Sequence, residues 1–220
     1  QPGNIPTGTG GGVNWRIFRI MAEFVEGLDF QAALSKNVTV LGTNKIPQKH
    51  RYYEAAYTIA KALADKDYTV VTGGGYGIAE AANKGSRDAD KTAYAMVQHL
   101  SHNRSINEYV QNYITFDFPF TRQVILTGPS NSYVFCPGGL GTLHQLFEVL
   151  TLVQTEKVQT SPLILFDEEF WAPLVEYIEN VLNKEFRTIS PEDVDLFAVS
   201  VREDEVVQII ETAFAHQEEE

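Results

Sequence analysis

The chain has 220 residues, 44% hydrophobic and 21% charged, the length and balance of one globular domain able to bury a full core. Its net charge of −12 argues against a nucleic-acid surface, because neutralising a phosphate backbone takes clustered Lys and Arg. The single Cys136 excludes an internal disulfide framework and a cysteine metal cluster.

In chain order, residues 1–14 read as a flexible leader; no strand precedes their glycines and no lysine follows in the P-loop position. From Trp15 to Val25 apolar residues recur at helical spacing through Phe18, Met21 and Phe24, which predicts a helix packed against the domain edge. Asn37–Gly42 is the first buried strand, Tyr52–Leu63 a helix and Tyr68–Thr72 the second strand. The helix from Ile78 stops at Gly85. Thr92–Val97 is a third strand, followed by a loop through His102, Asn103 and Asn107. Tyr113–Phe118 is extended, and Thr121–Leu126 begins a helix. Tyr133–Cys136 is a strand leading through a glycine turn into a helix that ends at Gln154. Strands at Leu163–Phe166 and Ala198–Val201 alternate with helices at Phe170–Leu182 and Glu203–Ala215.

The strands are short apolar runs without polar alternation, the form of buried parallel strands. Alternating with helices, they predict an α/β, doubly wound, mostly parallel sheet with flanking helices. Residues 15–214 make a single domain, and 215–220 are a frayed acidic tail. In such a sheet ligands sit at the carboxyl ends of the strands. No apolar run reaches the roughly 18 residues of a membrane span and no signal peptide is evident, so a cytoplasmic protein with no membrane partner is expected.

Two strand-to-helix junctions carry the chemistry. Tyr68–Thr72 runs into Gly73, Gly74, Gly75, Tyr76 and Gly77, and Tyr133–Phe135 into Cys136, Pro137, Gly138, Gly139, Leu140, Gly141 and Thr142. Glycines let a phosphate approach the backbone, and the first N–H groups of a helix lack intrahelical partners. A tight connection needs glycine in any case, but two such turns in one chain point to a nucleotide or sugar phosphate. The dinucleotide fingerprint is absent, since the first strand ends in one glycine, and NAD is not expected. No histidine spacing matches a metal site, so neither a metal nor another cofactor is expected.

The series Gly-Gly-Gly-x-Gly-Ile-x-Glu-Ala-Ala-Asn and Pro-Gly-Gly-x-Gly-Thr, with Asn107-Glu108-Tyr109, Phe120-Thr121-Arg122 and Leu146–Thr155 in the same order, resembles the LOG family. These are the cytokinin riboside 5′-monophosphate phosphoribohydrolases and their bacterial relatives, many once labelled lysine decarboxylases. The likeness runs from Trp15 to Ile178. It implies a Rossmann-like domain, a nucleoside monophosphate such as AMP as ligand, and a homodimer or multiple of dimers whose site is completed at a helix-lined interface. Decarboxylation has no support beyond the old label.

By the same resemblance, Gly138, Gly139, Gly141 and Thr142 bind phosphate, and the family's catalytic arginine falls on Arg122. Gly73, Gly74, Gly75, Gly77 and Asn107 join the substrate site, with Lys45 a weaker candidate. The family's lysine after the arginine is Gln123 here, and its catalytic glutamate is Gln145. Glutamine keeps the shape of glutamate without the charge, and it cannot act as a base. Glu80 and Glu148 are the carboxylates that could stand in, and His144 is a possible acid or base. Each also has a structural reading: helix-start pairing or dimer packing for the glutamates, a solvated surface for the histidine. Two functions stay open: a nucleotide-binding protein with weak or altered N-glycosidic hydrolase activity, or a fully active phosphoribohydrolase releasing base and ribose 5-phosphate.

Overall fold

The computed structural model describes residues 11–99, 106–128, 130–158 and 161–217. The expected loop residues His102 and Asn103, leader residues 1–10 and tail residues 218–220 lie outside them. The elements are α1 (Gly11–Ala32), β1 (Asn37–Leu41), α2 (Arg51–Asp65), β2 (Thr69–Thr72), α3 (Ile78–Asp88), β3 (Tyr94–Gln98), β4 (Asn112–Phe116), α4 (Pro119–Thr127), β5 (Ser132–Phe135), α5 (Leu140–Gln154), β6 (Leu163–Phe166), α6 (Glu168–Glu176), β7 (Ala198–Ser200) and α7 (Glu203–Gln217). α1 thus starts at Gly11, ahead of the Trp15 boundary expected from periodicity, and α6 continues into π-helical turns over Tyr177–Glu185.

All seven strands pair in parallel, in the order β4-β3-β2-β1-β5-β6-β7. The central strands β1, β5 and β6 are buried at every position, including the polar Asn37, Thr39 and Ser132, as strands covered by helices on both faces are. One core layer gathers α2, α3 and α7 through Ala56, Ile59, Leu63, Ile78, Ala81 and Ile210. The opposite layer holds Leu126 of α4, Leu146 and Val149 of α5 and Trp171 of α6. This is the doubly wound architecture expected from the sequence.

Small residues let α2 and α3 approach closely: a Cβ at Gly85 would meet the Tyr57 carbonyl oxygen at 2.5 Å. α4, which carries Arg122, is anchored at its start by α1. The Glu23 carboxylate accepts the N–H of Asp117 at 2.8 Å and of Phe118 at 3.4 Å, together with the Thr121 hydroxyl. α1 departs from expectation in its packing. Phe24 and Phe30 face the core, yet Trp15, Phe18, Met21 and Val25 stand 56–69% exposed. The helical spacing is there, but much of its apolar surface lies on the outer face.

Candidate functional site

Chain order reverses between β1 and β5, and the cavity lies at the carboxyl ends of the strands around that switch point. It encloses about 620 Å³, within the usual range for a small-molecule site. Its walls are the turn after β1 (Gly42–Lys45), the turn after β2 (Gly73, Gly75, Tyr76), Val97 and Gln98 of β3, and the start of α5 (Gly139–Thr142).

The glycines divide by what a side chain would meet. Gly74 has φ +73 and Gly77 φ +66, left-handed values that make glycine the natural residue. At Gly73 a Cβ would run into the Arg122 guanidinium, and at Gly138 into the Thr142 side chain. At Gly75, Gly139 and Gly141 a Cβ would meet nothing within 4 Å. The space over these three is the cavity, and only the absence of side chains leaves their backbone approachable.

α5 opens there without a cap. Its N-cap Gly139 offers no side-chain bond and its first turn holds no acid, so the opening N–H groups and the positive end of the helix face the cavity unopposed. α3 starts similarly at Gly77 but carries Glu80 in its first turn. The two helix starts are therefore unequal, and α5 is the better anion site.

The charged groups agree with this. Lys45 and Arg122 line the cavity, and no Asp or Glu is among the described residues that do. Arg122 donates from Nε to the Met96 carbonyl at 2.7 Å and from a terminal nitrogen to the Gly73 carbonyl at 3.5 Å. Among the described residues no carboxylate pairs with it, and burial alone pulls its pKa down to about 10. A desolvated cation without an anion is costly until an anion arrives.

Gln145 lines the same cavity. Beyond Arg122 and Gln98 a second groove of about 820 Å³ opens between α4 and α5. Glu148 and His144 lie in that groove and not in the cavity, and Glu148 accepts from the Gln123 amide at 2.5 Å. Glu80 points elsewhere: it is 9% exposed, accepts from the Gln48 amide at 2.6 Å, and lies against Tyr53. Asn107, 3% exposed, spends its side-chain amide on the carbonyls of Gly74 (3.1 Å) and Gly75 (2.8 Å) and on Asn83 (3.0 Å). Thr72 joins this network, donating to Asn83 and accepting from the Gly74 N–H. Asn107 thus shapes the triple-glycine turn from behind. Of the sequence candidates, the structure brings Gly73, Gly75, Arg122, Gly139, Gly141, Thr142, Gln145 and Lys45 together, and it leaves Gly74, Gly77, Gly138, Glu80 and Asn107 out of the cavity wall. Gln98 and Tyr76 line it without a sequence signal that singled them out.

A family model described as "Possible lysine decarboxylase" matches residues 79–210. The cytokinin riboside 5′-monophosphate phosphoribohydrolase LOG2 of Arabidopsis thaliana is 24% identical over 63% of this chain and 66% of its own length. A cytokinin riboside 5′-monophosphate phosphoribohydrolase of Rhodococcoides fascians is 31% identical over 30% of this chain and 34% of its own. The matched region therefore spans two thirds or less of these curated relatives. Among solved structures, the molybdenum cofactor carrier protein MCP of Chlamydomonas reinhardtii shares the fold with a TM-score of 0.62 and 19% identity, over 82% of this chain and 99% of that one.

Proposed function

The chain belongs to the family of the LOG phosphoribohydrolases, whose model carries the description "Possible lysine decarboxylase", and from that membership we propose that it binds a nucleoside 5′-monophosphate of the AMP type and cuts it weakly or in altered fashion. The phosphate lies on the uncapped start of α5, against Gly139, Gly141 and Thr142, with Arg122 as its cation and Lys45 at the mouth. One observation carries this reading: a cavity with two cations, an open helix N-terminus and no carboxylate among the described residues that line it. Such a wall holds an anion well. It lacks the negative group that would stabilise a ribosyl cation or activate water, and Gln145, at the family's glutamate position, supplies shape without charge.

Likeness decides nothing between holding and cutting, since a relative in sequence is described as a phosphoribohydrolase and a neighbour in fold as a carrier. The competing reading, a fully active enzyme, rests on Glu148, the carboxylate of the adjoining groove. Free adenine released from AMP separates the two. The unaltered protein is expected to be near silent and Gln145→Glu to gain about 10²-fold, the typical worth of a charge aimed at a developing opposite charge. Rapid turnover by the unaltered protein that Glu148→Gln abolishes would replace this reading with the enzymatic one. Absence of AMP binding at millimolar concentration in calorimetry would remove both.

A further inference from the structure

Tyr76 is 51% exposed and lines the cavity between Gly75 and Ala79. Its backbone is fixed on both flanks. After it, Gly77 lies so close to the β1 turn that a Cβ would come within 2.5 Å of the Thr43 carbonyl oxygen, and the Ile78 N–H donates to that oxygen at 3.0 Å. Before it, the Asn107 amide grips the carbonyls of Gly74 and Gly75. The ring held by this rigid turn belongs to neither hydrophobic core, and its hydroxyl makes no hydrogen bond among the described residues. A large uncovered aromatic ring facing a cavity is the observation that calls for a ligand.

The place of the ring names the part of the ligand it meets. Tyr76 follows β2 and the open α5 start follows β5, with β1 between them. Two strand spacings put the turns roughly 10 Å apart along the sheet edge, a gap that a ribose spans. We propose that Tyr76 is the stacking platform for the base of the bound nucleotide, so that the site selects a phosphate carrying an aromatic ring over a bare sugar phosphate. This rests on the phosphate reading of the α5 turn. A tyrosine face suits it: stacking is indifferent to which base is offered, and on a fixed backbone an aromatic side chain has only two torsions to order.

Calorimetry of the full chain with AMP and with ribose 5-phosphate tests the assignment. Tyr76→Phe is expected to keep the AMP affinity within about two-fold, while Tyr76→Ala and Tyr76→Leu each lose about ten-fold or more, as removal of a stacking ring does. Ribose 5-phosphate should bind the parent and all three variants alike. Ribose 5-phosphate binding together with an AMP affinity untouched by Tyr76→Ala overturns the role of Tyr76 and leaves the phosphate site standing. Equal loss of both ligands in Tyr76→Ala and Tyr76→Leu also overturns it, because the ring would then be shaping the turn. Failure of the unaltered chain to bind either ligand overturns the phosphate site itself, and the stacking role with it.

Discussion

At Arg122 ligand binding and folding pull against each other. Burial lowers its pKa well below the ordinary arginine value, to about 10, so the native state holds this proton less tightly than the unfolded chain does. The resulting penalty on folding is fully present below about pH 10 and fades as pH rises toward the unfolded value. Arg122→Met relieves it but leaves the Met96 and Gly73 carbonyls without their donor. The apo variant is expected to melt at or above the parent temperature, by up to about 3 °C for a domain this size. The upward shift that AMP gives the parent should vanish. A variant that melts lower and still binds AMP would show Arg122 to be structural. Since Arg122 stays charged up to about pH 10, affinity for AMP should rise from pH 5 to 7 as the phosphate sheds its second proton near pKa 6, then stay level to pH 9; titration calorimetry across that range checks it. Arg122, Gln145 and the turn glycines were legible as motif positions. Tyr76 was not, because it fills a variable place in its motif and only tertiary packing leaves its ring uncovered. Glu80 looked like a ligand-edge acid, but it packs against Gln48 of the loop before α2 and Tyr53 of α2, and a single sequence does not carry that packing.

At the level of elements, the two glycine turns make opposite predictions. In α5, Gly141 lies in the first helical turn with open space above it and no left-handed φ. Alanine there favours the helix by up to about 1 kcal/mol, while its methyl group occupies the room a phosphate needs. Gly141→Ala should therefore melt about 2–4 °C higher and bind AMP at least about ten-fold more weakly, the loss of one charge-assisted hydrogen bond. In the β2 turn, Gly74 has φ +73 and a Cβ would come within 2.7 Å of Val97. Gly74→Ala should lose about 1–3 kcal/mol of stability. Calorimetric melting of both variants checks the pair, and equal effects would deny that the turns differ in kind. The strands were legible because β1, β2, β5 and β6 are short runs dominated by Val, Leu, Ile, Tyr, Phe and Thr without charge, which a doubly covered sheet buries. The π-helical turns of Tyr177–Glu185 after Pro173 had no such mark, since the apolar spacing reads as one continuous helix.

For the whole molecule the open question is what covers α1. Its inner stripe meets the core through Phe24 and Phe30, and Gly27 lies against Ile125 of α4. The outer side presents Trp15, Ile17, Phe18, Met21, Val25 and Leu28, each 49–69% exposed, and the neighbouring α4 and α5 add Phe120, Val124 and Phe147 at 41–48%. A monomer seldom leaves so much apolar surface together, and these side chains offer on the order of the 800 Å² per partner of a standard interface. A helix apolar on two sides is buried on two sides. The apolar stretch Leu146–Leu152 of α5 is not that surface, because Leu146, Val149 and Leu150 face the core and Phe147 is left outside. The contact surface expected now is the outer side of α1 with its continuation across Phe120, Val124 and Phe147, and a second copy of this chain is the proposed occupant. A chain of net charge −12 can still self-associate there, because the exposed charged groups among the outer apolar residues of α1, Arg16 and Arg19 against Glu26 and Asp29, balance in sign. Light scattering at micromolar concentration should give about twice 24.6 kDa. Phe18→Glu combined with Val25→Glu should give the single mass, with little change in melting at low concentration since neither side chain packs in the core. A parent species of 24.6 kDa alone, or a double variant that still scatters as a dimer, would mean that α1 is not the contact.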